Sequence, residues 1–301
     1  MTGPFTAAEL SALSATLGRD ITGTRPLTGG YRNVTVLAET AGPDRYVLRR
    51  CTDAAVCAVE AALADRLRAT AVPVPELVFA DPAGALLGTP LLVSRFAPGT
   101  PGDRVPAADA PGLARAMGET LAAIGAAVPF EEPGLLGPDL VPTGGPLATD
   151  LVAYADRTLA ASHASTAFDG TELAALRALV AREAPLVESV AADAGLVHGD
   201  YNPKNVLAEP YRGGWRLTAV LDWEFALSGT PLFDVGNALR FAAPAVATAF
   251  TTGYVDAGGV LPADWRPVSR ALDLFALLDF LTRPPDHRYF RKSVSLLRDR
   301  L

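Results

Sequence analysis

Lysine is nearly missing from this 301-residue chain: only Lys204 and Lys292 occur, and the other basic residues are arginines scattered along its length. With a formal net charge of -7, no clustered basic stripe exists to hold a phosphate backbone, so no nucleic-acid partner is expected. Cysteine is just as scarce. Cys51 and Cys57 have no Cys or His companions at metal-ligand spacing, which excludes a zinc site and a disulfide framework and fits a reducing, cytoplasmic setting. No uninterrupted apolar run reaches the roughly 18 residues of a membrane span. Residues 1–20 lack the basic and apolar regions of a signal peptide, so a soluble intracellular protein without a membrane partner is expected. Nothing in the composition implies a partner chain, and a monomer is expected.

What the chain does have is apolar material, 50% of its residues, enough for a sizeable core in one two-lobed unit or two small domains. Thr6 followed by Glu9 is a capping-box start for a leading helix to Leu17. Residues 25–50 read as strands around Gly29-Gly30 and a turn from Ala41 to Asp44. Val56, Val59, Leu63 and Leu67 recur at helical intervals over residues 54–69, and two further strands follow at Leu77 to Phe79 and Leu91 to Arg95. The Pro- and Gly-rich stretch that follows places a hinge at 94–99, between a sheet-based lobe (residues 1–95) and a mainly helical one (residues 96–301). Helices are expected there at 148–162, 171–192, 234–252 and 267–282, the last apolar nearly all round and therefore buried.

The chemistry lies between the second and third of these helices. Leu196-Val197 and Val206-Leu207 flank the polar loop His198-Gly199-Asp200-Tyr-Asn-Pro-Lys204-Asn205, so that two strands fix and aim its side chains. Phosphoryl transfer needs a carboxylate to orient and deprotonate the attacking hydroxyl and neutral and anionic oxygens for Mg²⁺. Asp200 and Asn205 stand at the interval of the protein-kinase catalytic loop, which has Arg where this chain has Gly199. Asp222 ends an apolar strand from Leu217, with Trp223 and Glu224 next. A lone His-Gly-Asp is common by chance; this ordered combination is not.

The run from Val197 to Asp234 resembles the aminoglycoside phosphotransferase family, relatives of protein kinases whose fold is shared by choline and homoserine kinases, and the resemblance extends more weakly over nearly the whole chain. It implies an α+β, protein-kinase-like two-lobe fold: a small N-terminal lobe with a five-stranded antiparallel sheet and one helix, and a larger, mainly helical C-terminal lobe. It implies ATP and Mg²⁺ as cofactors, Asp200 as catalytic base, Asn205 and Asp222 as metal ligands, His198 as support of the loop, and Asp234 as its brace. Gly29 and Gly30 would cover the phosphates, and Ser94 and Phe96 would meet the nucleotide at the hinge. Arg49 stands where the family has a phosphate-binding lysine, with Glu60 as its helix partner and Arg50 as the alternative if the register slips by one. Lys204 is either a contact of the transferred phosphate or a solvated loop lysine, and Glu224 either assists the site or is solvated.

The implied activity is transfer of a phosphoryl group from ATP to a hydroxyl of a small molecule, with antibiotics favoured over metabolites of the choline or homoserine kind. A nucleotide-binding pseudokinase would lack one of Asp200, Asn205 and Asp222, and a hydrolase would need a Gly-x-Ser-x-Gly elbow or a Cys-His pair, neither of which occurs. Acidic and aromatic residues both occupy 148–165 and 267–290, where the acceptor pocket is expected, so its character stays open.

Overall fold

The computed structural model describes residues 4–27, 33–143 and 150–301. The chain opens with α1 (Ala7–Leu17), capped by Thr6 in the expected reciprocal box with Glu9 and closed by Gly18 in the left-handed region. β1 (Ile21–Pro26), β2 (Val34–Thr40), β3 (Arg45–Arg50), β4 (Leu77–Asp81) and β5 (Leu91–Arg95) form one antiparallel sheet in the order β1-β2-β3-β5-β4. α2 (Ala54–Leu67) is inserted between β3 and β4, its first turn held by the Asp53 carboxylate accepting from the amides of Ala55 and Val56.

Strand alternation divides the sheet's side chains between two environments. Val36, Ala38, Tyr46, Leu48, Leu91 and Val93 pack with Phe5 and Leu13 beneath α1 as a core of their own. Val59, Leu63 and Leu67 of α2 instead join Val72, Leu113 and Leu121 in the large core of the rest of the chain. A hydrogen bond from the Val220 amide to the Pro73 carbonyl, 2.7 Å, ties the two parts together next to the chemistry.

Beyond the sheet come β6 (Thr100–Pro101), α3 (Ala110–Ala127), β7 (Gly134–Leu136), β8 (Pro142–Thr143), α4 (Leu151–Ala161) and α5 (Gly170–Glu188). Next are β9 (Gly195–Val197), β10 (Val206–Tyr211), β11 (Gly214–Val220) and β12 (Leu227–Gly229), and then α6 (Leu232–Leu239), α7 (Pro244–Asp256), α8 (Trp265–Leu272), α9 (Leu274–Asp279) and α10 (Arg288–Arg298). β10 pairs with β11 and β6, and β12 pairs with β9 and β7. The loop from 198 to 205 and the segment from 221 to 226 are therefore each clamped at both ends by strands.

Two expected helices are interrupted. The one drawn over 234–252 is two, α6 and α7, because Pro244 pushes Ala243 into the extended region (ψ 155°) and opens a new helix. The one drawn over 267–282 begins at Trp265, is divided at Asp273, and finishes as a 3₁₀ turn. Its apolar character does mark burial: Leu272, Leu274, Phe275, Leu277, Leu278 and Leu281 are all in the core. Among the described residues no helix is long and apolar enough to cross a membrane.

Candidate active site

His198 is wholly buried, and its amide and both ring nitrogens are spent on shaping the loop. Its ring Nδ1 accepts from the Asp200 amide (3.2 Å) and its Nε2 lies 2.9 Å from the Leu221 carbonyl, which requires the proton on Nε2 and a neutral ring. The ring thereby bridges the turn holding Asp200 to the residue before Asp222. Asp234, also buried, receives the amides of His198 and Gly199 at 2.7 and 2.9 Å. Burial pushes its carboxyl up to about 6, against the pull of those two amides. Both residues act as braces, and neither is exposed to a reactant.

Gly199 shows why no side chain stands where the protein-kinase loop has Arg. Its φ is +82°, and a Cβ there would lie 2.2 Å from the carbonyl oxygen of Phe225. The loop and the 222–226 segment thus meet backbone to backbone. A further main-chain bond, Leu221 amide to Asn205 carbonyl at 2.8 Å, locks the same two pieces beside Asp222.

The Asp200 carboxylate is oriented from three sides. Oδ1 accepts from Asn202 Nδ2 at 2.7 Å, while Oδ2 accepts from Asn205 Nδ2 at 3.0 Å and lies 2.9 Å from Lys204 Nζ. Lys204 is therefore engaged with the carboxylate rather than solvated alone, and its ammonium also stands 5.7 Å from the ring centre of Tyr289 on α10. Asn202 was not a candidate from sequence, although Asn before Pro in a loop is a side chain that bonds local backbone; it also accepts the Lys204 amide. With Asn205 Nδ2 spent on Asp200, its carbonyl oxygen is left as a neutral ligand atom.

From the sheet, Arg49 reaches across to the segment that holds Asp222 and Glu224. It donates to Glu60 on α2 and, 2.8 Å away, to Asp222, with Glu224 at 3.9 Å. Burial works to lower the guanidinium's pKa, but Glu60 and Asp222 outweigh it and the value lies above the ordinary one. Glu60 is raised to about 7, chiefly by burial and also by Asp222 and Glu224, with Arg49 opposing. Its Oε1 is buried with no hydrogen-bond partner among the described residues. Asp222 adopts φ +68°, an uncommon backbone for a residue with a Cβ, at the end of β11. Glu224 accepts from Asn33 Nδ2 at 3.4 Å and is joined to the site, not solvated apart from it.

The register of β3 separates Arg49 from Arg50. Arg50 points to the opposite face, where Glu9 of α1 holds it at 2.8 Å and the ring of Phe5 lies beneath it. Ser94 and Phe96 lie toward the other end of the same strands: Arg49 sits opposite Leu92, whereas Tyr46 faces Arg95. The Phe96 amide is bonded to the Arg45 carbonyl and its ring lies under the Arg45 guanidinium, 4.3 Å to the centre. Gly29 and Gly30 fall outside the described residues.

In the expected acceptor region, Asp273 is buried against Arg240 and Asp150 caps α4. Tyr154 donates to the Phe275 carbonyl, and His287 accepts the Tyr289 amide at the start of α10. These are structural roles. Tyr289 lies beside the 198–205 loop, its ring centre 5.7 Å from the Lys204 ammonium.

A search of the curated proteins returned no match. Among solved structures, aminoglycoside phosphotransferase APH(4)-Ia superposes with a TM-score of 0.75 at 23% identity, covering 98% of each chain. A thermostable mutant of that enzyme, in ternary complex with ADP and hygromycin B, gives 0.73 at 22% identity over 97% of each chain. Macrolide 2'-phosphotransferase MphH from Brachybacterium faecium gives 0.66 at 20% identity, covering 96% of this chain and 97% of its own. These likenesses establish the two-lobed, kinase-like fold. A family model described as "Phosphotransferase enzyme family" matches residues 23–270, most of the chain, which therefore belongs to that family and is a phosphotransferase.

Proposed function

We propose that this enzyme transfers the γ-phosphoryl group of ATP to a hydroxyl of a small molecule, with Mg²⁺ as cofactor and an antibiotic as the favoured acceptor class. In this reading residues 1–95 bind the nucleotide and residues 96–301 carry the catalytic loop and the acceptor site. The observation that carries the proposal is that the loop in which Asn202, Lys204 and Asn205 hold Asp200 is bonded, through the His198 ring and the Asn205 carbonyl, to Leu221, the residue before Asp222, which Arg49 holds from the sheet.

Asp200 is the group to orient the acceptor hydroxyl and take its proton as the acceptor oxygen bonds to the γ-phosphorus and the bond from that phosphorus to the bridging oxygen of the departing ADP breaks. Asp222 and the Asn205 carbonyl are hard oxygen donors, suited to a Mg²⁺ that completes its shell with water and phosphate oxygens. The metal would neutralise charge on the transferring group. Arg49 is placed to hold phosphates once they displace it from Asp222, and Lys204 to follow the proton or phosphoryl charge at Asp200. The span fits as well: from Arg49 to the hinge after Arg95 is about three strand residues, roughly 10 Å, a nucleotide's reach from phosphates to base. The fold neighbour crystallised with ADP and hygromycin B supports both a nucleotide and a small hydroxyl-bearing acceptor.

ADP release by the purified protein with Mg²⁺ and ATP, across a panel of hydroxyl-bearing antibiotics and metabolites, tests the proposal. An acceptor-dependent rate that Asp200→Ala abolishes is expected. No acceptor-dependent rate, together with no Mg²⁺-dependent ATP binding, would refute it.

A further inference from the structure

Asn33, the residue before β2, spends both ends of its carboxamide on two other segments of the chain. Its Oδ1 accepts the Thr52 amide at 3.2 Å, and its Nδ2 donates to Glu224 Oε2 at 3.4 Å. A main-chain amide can only donate, so Oδ1 must face Thr52 and the NH₂ must face the carboxylate. β2 and β3 pair with Thr35 opposite Arg49 and Val34 opposite Arg50, which sets Asn33 at the end of β2 beside the Arg49 cluster. Thr52 lies just before Asp53, the cap of α2, and α2 is the helix that carries Glu60.

Three carboxylates crowd one guanidinium here. Arg49 donates to Glu60 and Asp222, whereas Glu224 Oε2 stands 3.9 Å from it, and that same oxygen takes the Asn33 NH₂. Phosphates arriving beside Asp222 would draw the guanidinium toward themselves. A carboxamide carries no charge to be drawn, and its planar frame keeps donor and acceptor at a fixed angle. Asn33 therefore holds Glu224 to the sheet wherever the guanidinium goes. Glu224 is two residues past Asp222, so fixing the one limits the travel of the other.

Resting on the kinase reading of this site, we propose that Asn33 is a positioning residue for phosphoryl transfer: its carboxamide ties the corner between β3 and α2 to Glu224, and so sets the distance between Arg49 and the segment that carries Asp222.

The test uses the full-length protein and two probes in titration calorimetry: AMP-PNP with Mg²⁺, and ADP with EDTA, which lacks both the metal and the third phosphate. Asn33→Ala is expected to bind AMP-PNP with Mg²⁺ about 3- to 10-fold more weakly, the worth of one hydrogen bond, and to bind metal-free ADP nearly as well as wild type. A loss confined to folding would weaken both probes alike. Asn33→Asp keeps the acceptor for Thr52 but sets a second carboxylate against Glu224, so a larger loss is expected. Introduced on a Glu224→Gln background, the same Asn33→Asp change remakes the bond with donor and acceptor exchanged, and its cost should fall to less than about 3-fold. Equal losses for the two probes, no loss in Asn33→Ala, or an Asn33→Asp cost that is the same on both backgrounds overturns the proposal. Failure of the wild-type protein to bind AMP-PNP with Mg²⁺ would instead indict the kinase reading.

Discussion

Arg49 and Asp222, 173 positions apart in sequence, are joined by a 2.8 Å hydrogen bond that spans from the N-terminal sheet to the end of β11. The same guanidinium holds the buried Glu60, so one side chain neutralises carboxylates from α2 and from the catalytic segment. On the proposed reading, Mg²⁺ would compete with Arg49 for the Asp222 carboxylate. Nucleotide phosphates offer the guanidinium an alternative partner, so metal and phosphate are expected to bind together more tightly than either alone.

Removing this guanidinium leaves Glu60 buried without a counter-charge. Arg49→Ala is expected to cost about 3–5 kcal/mol of stability, the range for breaking a buried pair from one side. Arg49→Lys keeps the charge but gives up the planar fork that serves two carboxylates at once, so a smaller loss is expected, with weakened nucleotide binding. Urea midpoints and titration of a non-hydrolysable ATP analogue measure the two effects. Equal midpoints for wild type and the Ala variant would show that the pair contributes nothing.

The raised pKa of Glu60 sets a pH dependence. In the folded protein its carboxyl titrates at about 7 against an ordinary value of 4.5. Between those values the folded state keeps a proton that the unfolded chain releases. The stability this group contributes is full below about pH 4.5 and is lost as pH rises through about 7. Glu60→Gln, which cannot titrate, should flatten the stability curve over that window in denaturant titrations at successive pH values. An unchanged slope would assign the dependence to other groups.

The candidate loop was legible in sequence because its residues are local: Asp200, Lys204 and Asn205 sit within one strand-flanked loop, and Asp222 follows the next hairpin. The sheet and α2 were legible from alternation and from helical spacing. What spacing cannot convey is which face a strand residue takes when both neighbours are arginines. Arg49 and Arg50 separate only once α1 supplies Glu9 to one face and α2 supplies Glu60 to the other. Asn202 escaped notice for a related reason, since its role is a side-chain contact to a neighbour two positions away. Helix 234–252 failed at Pro244, where apolar periodicity continues through a backbone that proline interrupts.

Asp200 is the group whose loss should stop chemistry while sparing binding. Asp200→Asn keeps the size and much of the hydrogen bonding to its neighbours but cannot take a proton. A loss on the order of 10²–10⁴-fold in turnover is expected, with affinity for the ATP analogue retained. Single-turnover kinetics beside equilibrium nucleotide binding separate the two. Loss of nucleotide affinity equal to the loss of rate would make Asp200 a structural rather than a catalytic group.

Gly199 tests whether the backbone contact between the catalytic loop and the 222–226 segment matters in itself. A methyl group there would stand 2.2 Å from the Phe225 carbonyl oxygen and 2.9 Å from its carbon, at a φ of +82°. The backbone alone costs an L-residue roughly 1–2 kcal/mol; the clash adds to it, and relief requires the two segments to part. Parting them moves Asp222 away from Asp200, and a displacement of about 1 Å between reacting groups costs on the order of 10²-fold in rate. Gly213, at φ +79° with nothing within 4 Å of an added Cβ, supplies the control. Gly213→Ala should lose only the backbone cost and keep full turnover, whereas Gly199→Ala should lose more stability and most of its turnover. Similar losses in the two variants would mean that the close approach of Gly199 to Phe225 does not govern the distance between the two carboxylates.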